Sequence, residues 1–329
     1  MRKLLLVAAI GLTSVAFGQQ LPQYSQYNRN QFMVNPAAAG IYDFTDITIG
    51  GRYQWAGFEN APMTAYVYGS AVLSKKKSRY NPSLRTSSCP VWAPKANTGK
   101  VKHALGGQLI SDQYGAFRKI SFAGTYAIHL PITKKHNLSF GTRVGLSNST
   151  FLPDRATVLS SMPGYNGPSM NDPEYDNFVA NQSSLNFLDI GAGFYFYSED
   201  LYIGVSAADL TTDIVKFGTG SANFDPRMHF NFSAGYRIPL NRTISLMPSA
   251  LVKVMPRAPI AIEASVQLEF DERFWLSTSY RHTDAVVLGL GGVISNKFKL
   301  GYSFDLSLSK FNQYTLGGHE LILGIMLGR

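Results

Sequence analysis

Along residues 228–238 apolar and polar positions alternate without a break. Met228, Phe230, Phe232, Ala234, Tyr236 and Ile238 share one face, against His229, Asn231, Ser233, Gly235 and Arg237 on the other. Successive strand side chains point to opposite sides, so this stretch predicts a strand with one apolar and one polar, even charged, face. Residues 260–271 repeat the pattern, with Ile262, Ala264, Val266 and Leu268 opposite Glu263, Ser265, Gln267 and Glu269. Residues 298–309, 138–146 and 45–55 do the same, and their polar faces carry Lys299, Asp305, Arg143, Asp46 and Arg52. About fourteen such segments run from 43–55 to 318–328. Most are about 9 to 13 residues long, the length of a tilted strand that crosses a bilayer.

Two architectures produce alternation: a soluble sandwich with its apolar faces inward, and a membrane barrel with them outward. Three features favour the barrel. The segments exceed the five or six residues usual in soluble sheets. Their polar faces are rich in glycine, serine and charges of both signs, which suits a lumen. Aromatic residues gather at segment ends, as in Tyr53–Trp55, Phe194-Tyr195-Phe196-Tyr197 and Phe274-Trp275, where interface girdles are expected. The predicted fold is all-β, a transmembrane antiparallel β-barrel of about fourteen strands behind a periplasmic N-terminal segment.

The N-terminus agrees with that compartment. Arg2 and Lys3 precede an apolar run from Leu4 to Val15, and Ala16-Phe17-Gly18 offers a small-x-small cleavage site. Residues 1–18 read as a secretory signal peptide, its apolar core being too short for a stable span. The mature chain then has a segment at 19–42 and a barrel at 43–329. With Cys89 the one cysteine, neither an internal disulfide nor a multi-cysteine metal site is available. Charged residues make up 16% of the chain, below the quarter usual in soluble globular proteins.

Connections alternate between short and long. By strand parity, with a periplasmic N-terminus, 131–135, 198–200, 239–241, 271–272 and 295–296 are periplasmic turns, and 149–185, 209–227 and 309–317 are extracellular loops. One connection breaks the rule. Residues 74–102, periplasmic by parity, hold Lys75, Lys76, Lys77, Arg79, Arg85, Lys95, Lys100 and Lys102 and no acid. The chain's formal charge is +9, and losing Arg2 and Lys3 leaves +7, so this connection accounts for the basic balance. Such a run is commonly just a solvated segment; the alternatives are anionic lipid head groups or an acidic periplasmic partner. Nucleic acid is not expected there.

Catalytic chemistry is not legible. The six histidines, His103, His129, His136, His229, His282 and His319, show no metal-ligand spacing, and no G-x-S-x-G elbow is present. His229 reads as a lumen hydrogen-bonder. Gly191-Ala192-Gly193 and Gly289-Leu290-Gly291-Gly292 fall inside strands, where glycine makes room for neighbours. No enzyme, cofactor or metal is expected. Asp46, Arg52, Arg143, Asp189, Arg237, Lys253, Glu263, Glu269, Arg281, Lys299 and Asp305 fall on polar faces, to line a water-filled pore or to pair within a filled interior; their mixed signs lean toward pairing.

Two motifs bracket the mature chain. Gln23-Tyr24-Ser25-Gln26-Tyr27 with Asn35-Pro36-Ala37-Ala38-Ala39-Gly40 stands at one end. Tyr302-Ser303-Phe304-Asp305, Ser309-Lys310, Tyr314-Thr315 and Gly318-His319-Glu320 stand at the other. Together they resemble the PorP/SprF family of outer-membrane proteins from the type IX secretion and gliding system. The resemblance implies a non-enzymatic barrel that assists export or retention of cargo proteins, such as a gliding adhesin, by binding a type IX C-terminal domain. Periplasmic or lipoprotein components of the machinery and outer-membrane lipid are the further partners it implies. A general diffusion porin is the alternative. Two features depart from the family: the long 74–102 connection, and an end at Met326-Leu327-Gly328-Arg329 with no terminal aromatic.

The segment before the first strand, Q-Q-L-P-Q-Y-S-Q-Y-N-R-N-Q-F-M-V-N-P-A-A-A-G, is neither helical nor alternating. Pro36 removes a ladder donor and pushes Asn35 toward extended geometry, so a strand cannot run through. Tyr24, Tyr27 and Phe32 are candidate anchors that would lay the segment across the inner mouth and partly close a pore; a plain surface tail is the other reading.

Overall fold

The computed structural model describes residues 23–42, 44–73, 100–156, 184–211, 216–217, 228–256, 258–271, 273–295 and 297–328. The predicted signal peptide, the cations Lys75 to Lys95 and most of the two longest outer loops lie outside the described residues.

The strands are β1 (Thr45–Tyr53), β2 (Met63–Val72), β3 (Lys102–Tyr114), β4 (Phe117–Pro131), β5 (Asn137–Phe151), β6 (Ser184–Tyr197), β7 (Leu201–Ala208), β8 (Lys216–Phe217), β9 (His229–Tyr236), β10 (Ile238–Pro239), β11 (Ile244–Val254), β12 (Ala261–Phe270), β13 (Phe274–Arg281), β14 (Ala285–Ile294), β15 (Phe298–Ser307) and β16 (Gly318–Leu327). β8 and β10 are two-residue bridges. The other fourteen form an antiparallel wall in chain order. It closes where β16 meets β1, with Leu327 opposite Thr45 and Glu320 opposite Arg52.

Burial along each strand is the reverse of a soluble protein's. On β12 Glu263, Ser265, Gln267 and Glu269 are buried, while Ile262 and Val266 are exposed. The same holds on β1, where Asp46, Thr48 and Arg52 face in and Ile47 and Ile49 face out. An apolar outer belt around a polar lumen is the membrane-barrel solution, since closure leaves no strand edge unpaired in lipid. No helix among the described residues is long and apolar enough to cross a membrane, which is silent on strands.

The girdle expectation is half corrected. Phe274 is 60% exposed, but Trp275 is 3% exposed and points inward; likewise Phe194 faces out while Tyr195 and Tyr197 face in. Neighbouring aromatics on one strand cannot share a face, because the side-chain period is two. Arg237 sits half-buried in the one-residue break between β9 and β10, its N–H donating to Asp200 O at 2.6 Å.

The end bearing the three-residue turns 198–200, 271–273 and 295–297 is termed the inner end, because outer-membrane barrels keep their short turns in the periplasm. The opposite, outer end carries the longer 54–62, 152–183, 209–228 and 308–317 connections, together with tight turns at Gly115 and Thr283. The β2–β3 connection is the exception at the inner end.

Candidate functional site

Residues 23–42 do not lie across the inner mouth; they run through the lumen. After a turn at 25–29 the chain makes one helical turn, Gln31–Val34, and one 3₁₀ turn, Pro36–Ala38. Asn35 between them is extended, as the residue before proline must be. Its side-chain oxygen accepts from Ala37 N at 2.9 Å, and its Nδ2 donates to Phe194 O and Val205 O on the wall. Gly40, with φ near +70°, turns the chain out toward β1 at the inner end. Tyr24, Tyr27, Phe32, Asn35 and Pro36 are all buried.

A segment with so many amides and free backbone groups needs a polar wall, and the inward strand faces supply one. At the outer end Ser25 N donates to Glu320 Oε2 at 2.5 Å, and Ser25 Oγ donates to Asp305 at 2.7 Å. Halfway down, Tyr27 pairs with Ser249 and Asn28 Nδ2 donates to Ser265, at 3.1 Å each. Asn30 Nδ2 donates to Tyr66, and Tyr68 donates back to Asn30 Oδ1. The Tyr195 hydroxyl donates to Gln31 Oε1. Wall side chains also read the main chain: Ser206 and Asn231 donate to Val34 O, and Ser139 to Ala37 O. At the inner end His129 Nε2 donates to Ala39 O at 2.8 Å, which leaves Nδ1 to accept from Tyr197.

The segment's one charge is held twice. Arg29 Nη2 lies 3.1 Å from Glu269, and its guanidinium stacks 4.0 Å from the Trp275 ring. The wall's own charges pair as well. Asp46 meets Lys299 at 2.9 Å, and Arg143 meets Asp189 at 3.4 Å. Asp305 takes Arg52 at 2.6 Å and Arg281 at 3.3 Å, and Arg281 also holds Glu263 at 3.1 Å. Buried this deeply, each of these ions depends on its partner.

Glycine clears the path. A Cβ at Gly141 would overlap the Ala37 backbone, and one at Gly193 would overlap the Asn35 side chain. Beside the segment, about 80 Å³ stays open against the β3–β9 wall, lined by residues including Tyr24, Gln108, Asp112, Lys119, Arg143, Asp209 and His229. His229 lies 3.2 Å from Asp209, as a lumen hydrogen-bonder should. Burial alone would raise the Asp209 carboxyl, but Lys119 and His229 outweigh it and hold that group below the usual carboxylate range. Among the described residues no His, Cys, Asp or Glu group could hold a metal ion. Lys100, the one residue of the predicted basic docking set within the described residues, is exposed at the inner end.

Sequence reasoning missed the inward aromatics Tyr66, Tyr68, Tyr195, Tyr197 and Trp275. Parity carries the signal for each. Tyr66 and Tyr68 alternate in step with the buried Thr64 and Ser70 on β2, and Tyr195 and Tyr197 with Asp189 on β6. Trp275 keeps step with Ser279 and Arg281 on β13 and sits opposite Glu269 across the ladder.

Fold and lumen together define a filled outer-membrane β-barrel, its interior occupied by its own N-terminal segment. The chain matches the family of the type IX secretion system membrane protein PorP/SprF over residues 16–325 and belongs to that family. No curated protein sequence matches it. Among solved structures it is similar to the toluene transporter TodX of P. putida (TM-score 0.48, 10% identity, 89% of this chain and 92% of that one). It is similar also to Omp33 of Acinetobacter baumannii (0.42, 9%, 87% and 98%) and to the translocator domain of the autotransporter NalP from Neisseria meningitidis (0.38, 9%, 87% and 88%). Likenesses of this degree carry no functional reading.

Proposed function

We propose that this chain is a non-enzymatic component of type IX secretion that assists export or surface retention of a cargo protein, such as a gliding adhesin, by binding the cargo's C-terminal domain. One observation carries the reading beyond family membership: the lumen is filled from end to end by residues 23–42, which suits a barrel that binds partners on its faces. The leader at residues 1–18 would deliver the chain for outer-membrane insertion and then be removed. The basic 74–102 connection, at the inner end, is the proposed docking element for a periplasmic or lipoprotein component of the machinery.

Deleting the gene should leave a type IX cargo protein in the periplasm, and restoring it should return that cargo to the surface. Unchanged surface delivery of every such cargo would sink the proposal. Reversing the charge of Lys75, Lys76 and Lys77 should weaken co-purification of the periplasmic partner from native membranes. The porin reading is separated by conductance: purified protein in liposomes should be silent, whereas a large steady conductance favours a diffusion channel.

A further inference from the structure

The hydrogen bonds that Gln23, Ser25 and Gln26 make with the wall lie toward the outer end. Arg52, the next-to-last residue of β1, donates to Gln23 O at 2.7 Å. Ser25 and Gln26 reach Glu320, the third residue of β16, and Ser25 also reaches Asp305, the third from the end of β15. Gln23 further lines a small polar pocket with Arg52, Gln54, Trp55, Arg281 and Asp284, where strands give way to outer loops. The other end of the segment meets inner-end groups: Ser139 near the start of β5, His129 near the end of β4, and Ser70 on β2.

We propose that the chain is threaded through its own barrel with the N-terminal side outermost, so that Gln23 is reached from outside the cell. Orientation rests on the turns. Outer-membrane barrels keep short turns in the periplasm and longer loops outside, and the Ala39 end of the lumen is the end of the short turns. The way back to the periplasm is closed by the segment itself, whose residues from Tyr24 to Ile41 are all buried.

The test is thiol labelling on intact cells with a membrane-impermeant maleimide, in full-length protein carrying Cys89→Ser to remove the one native thiol. Gln23 holds Arg52 through its backbone carbonyl, so Gln23→Cys leaves that contact in place. Tyr314→Cys, in the exposed outer 308–317 loop, and Lys134→Cys, in the inner 132–136 turn, set the two reference sides. Gln23→Cys should label on intact cells as Tyr314→Cys does, with no gain when the outer membrane is opened. Labelling only after permeabilisation, as at Lys134→Cys, or only after denaturation, overturns the proposal. A short tag inserted between Pro22 and Gln23, read by antibody on intact cells, tests the same point independently: surface staining supports the threading, and staining only of opened cells overturns it.

Discussion

The two sides of the lumen are filled differently. Along β12 to β16 and β1, the segment lies against the wall, and charges form a connected set: Glu263 to Arg281, Arg281 to Asp305, Asp305 to Arg52 and to Ser25. Across the lumen, β3 to β9 face the open 80 Å³ space. There the pairs are looser, with Arg143 to Asp189 at 3.4 Å and Lys119 to Asp209 at 3.7 Å. Buried atoms without a hydrogen bond among the described residues occur on both sides, Gln108 Oε1 and Arg143 Nε on this one and Gln267 Nε2 and Arg281 Nη2 on the other. Both walls hold the segment, the second through Ser139, Tyr195, Ser206 and Asn231, but only the second also keeps a polar recess, suited to ordered water.

That contrast sets a ranking of effects. Deleting residues 23–41 should do the most. It breaks the buried Arg29–Glu269 pair, worth about 3–5 kcal/mol, and takes the Ser25 donors from Glu320 and Asp305 as well. The outcome should be loss of the folded, heat-modifiable barrel on gels, whereas a folded barrel with high conductance would make the segment a dispensable plug. Next comes Asp305→Ala, which leaves Arg52 and Arg281 facing each other without their shared carboxylate. It should cost about 3–5 kcal/mol in detergent unfolding, with Asp305→Asn recovering part of the loss.

Smaller effects sharpen the comparison. Gly141→Ala drives a methyl into the Ala37 backbone and should cost about 1–3 kcal/mol, the range for overpacking. Lys119→Ala, on the recess side and partly exposed, should change stability by less than about 1 kcal/mol. If Lys119→Ala proved as damaging as Asp305→Ala, the two walls would not differ as described.

Much of the barrel is legible in the sequence because bilayer and lumen impose a strict period of two. The alternation at 228–238 and 260–271 separates the outward from the inward residues of β9 and β12. The signs of the lumen charges are legible for the same reason, but their partners are not. Asp305 and Arg52 are far apart in sequence and meet through barrel closure, which no local pattern encodes. The 19–42 segment hides its place for a different reason. Its amides bond to side chains scattered over most of the wall, so nothing within the segment signals a lumen rather than a surface. Trp275 is masked by its neighbour: beside Phe274 it looks like a girdle residue, and parity alone separates the two.

Ser25 bonds to Asp305, 280 residues further along the chain, and to Glu320, 295 further. Synthesis makes the first partner early and the others almost at the end. Until β15 and β16 arrive, Ser25 lacks both of its acceptors and Arg52 lacks its carboxylate. A nascent chain of this protein must therefore be kept soluble and open across the periplasm for nearly its whole length. Its dependence on holding chaperones, and its vulnerability to proteases when they are scarce, should exceed that of a barrel whose first residues pair with their immediate neighbours.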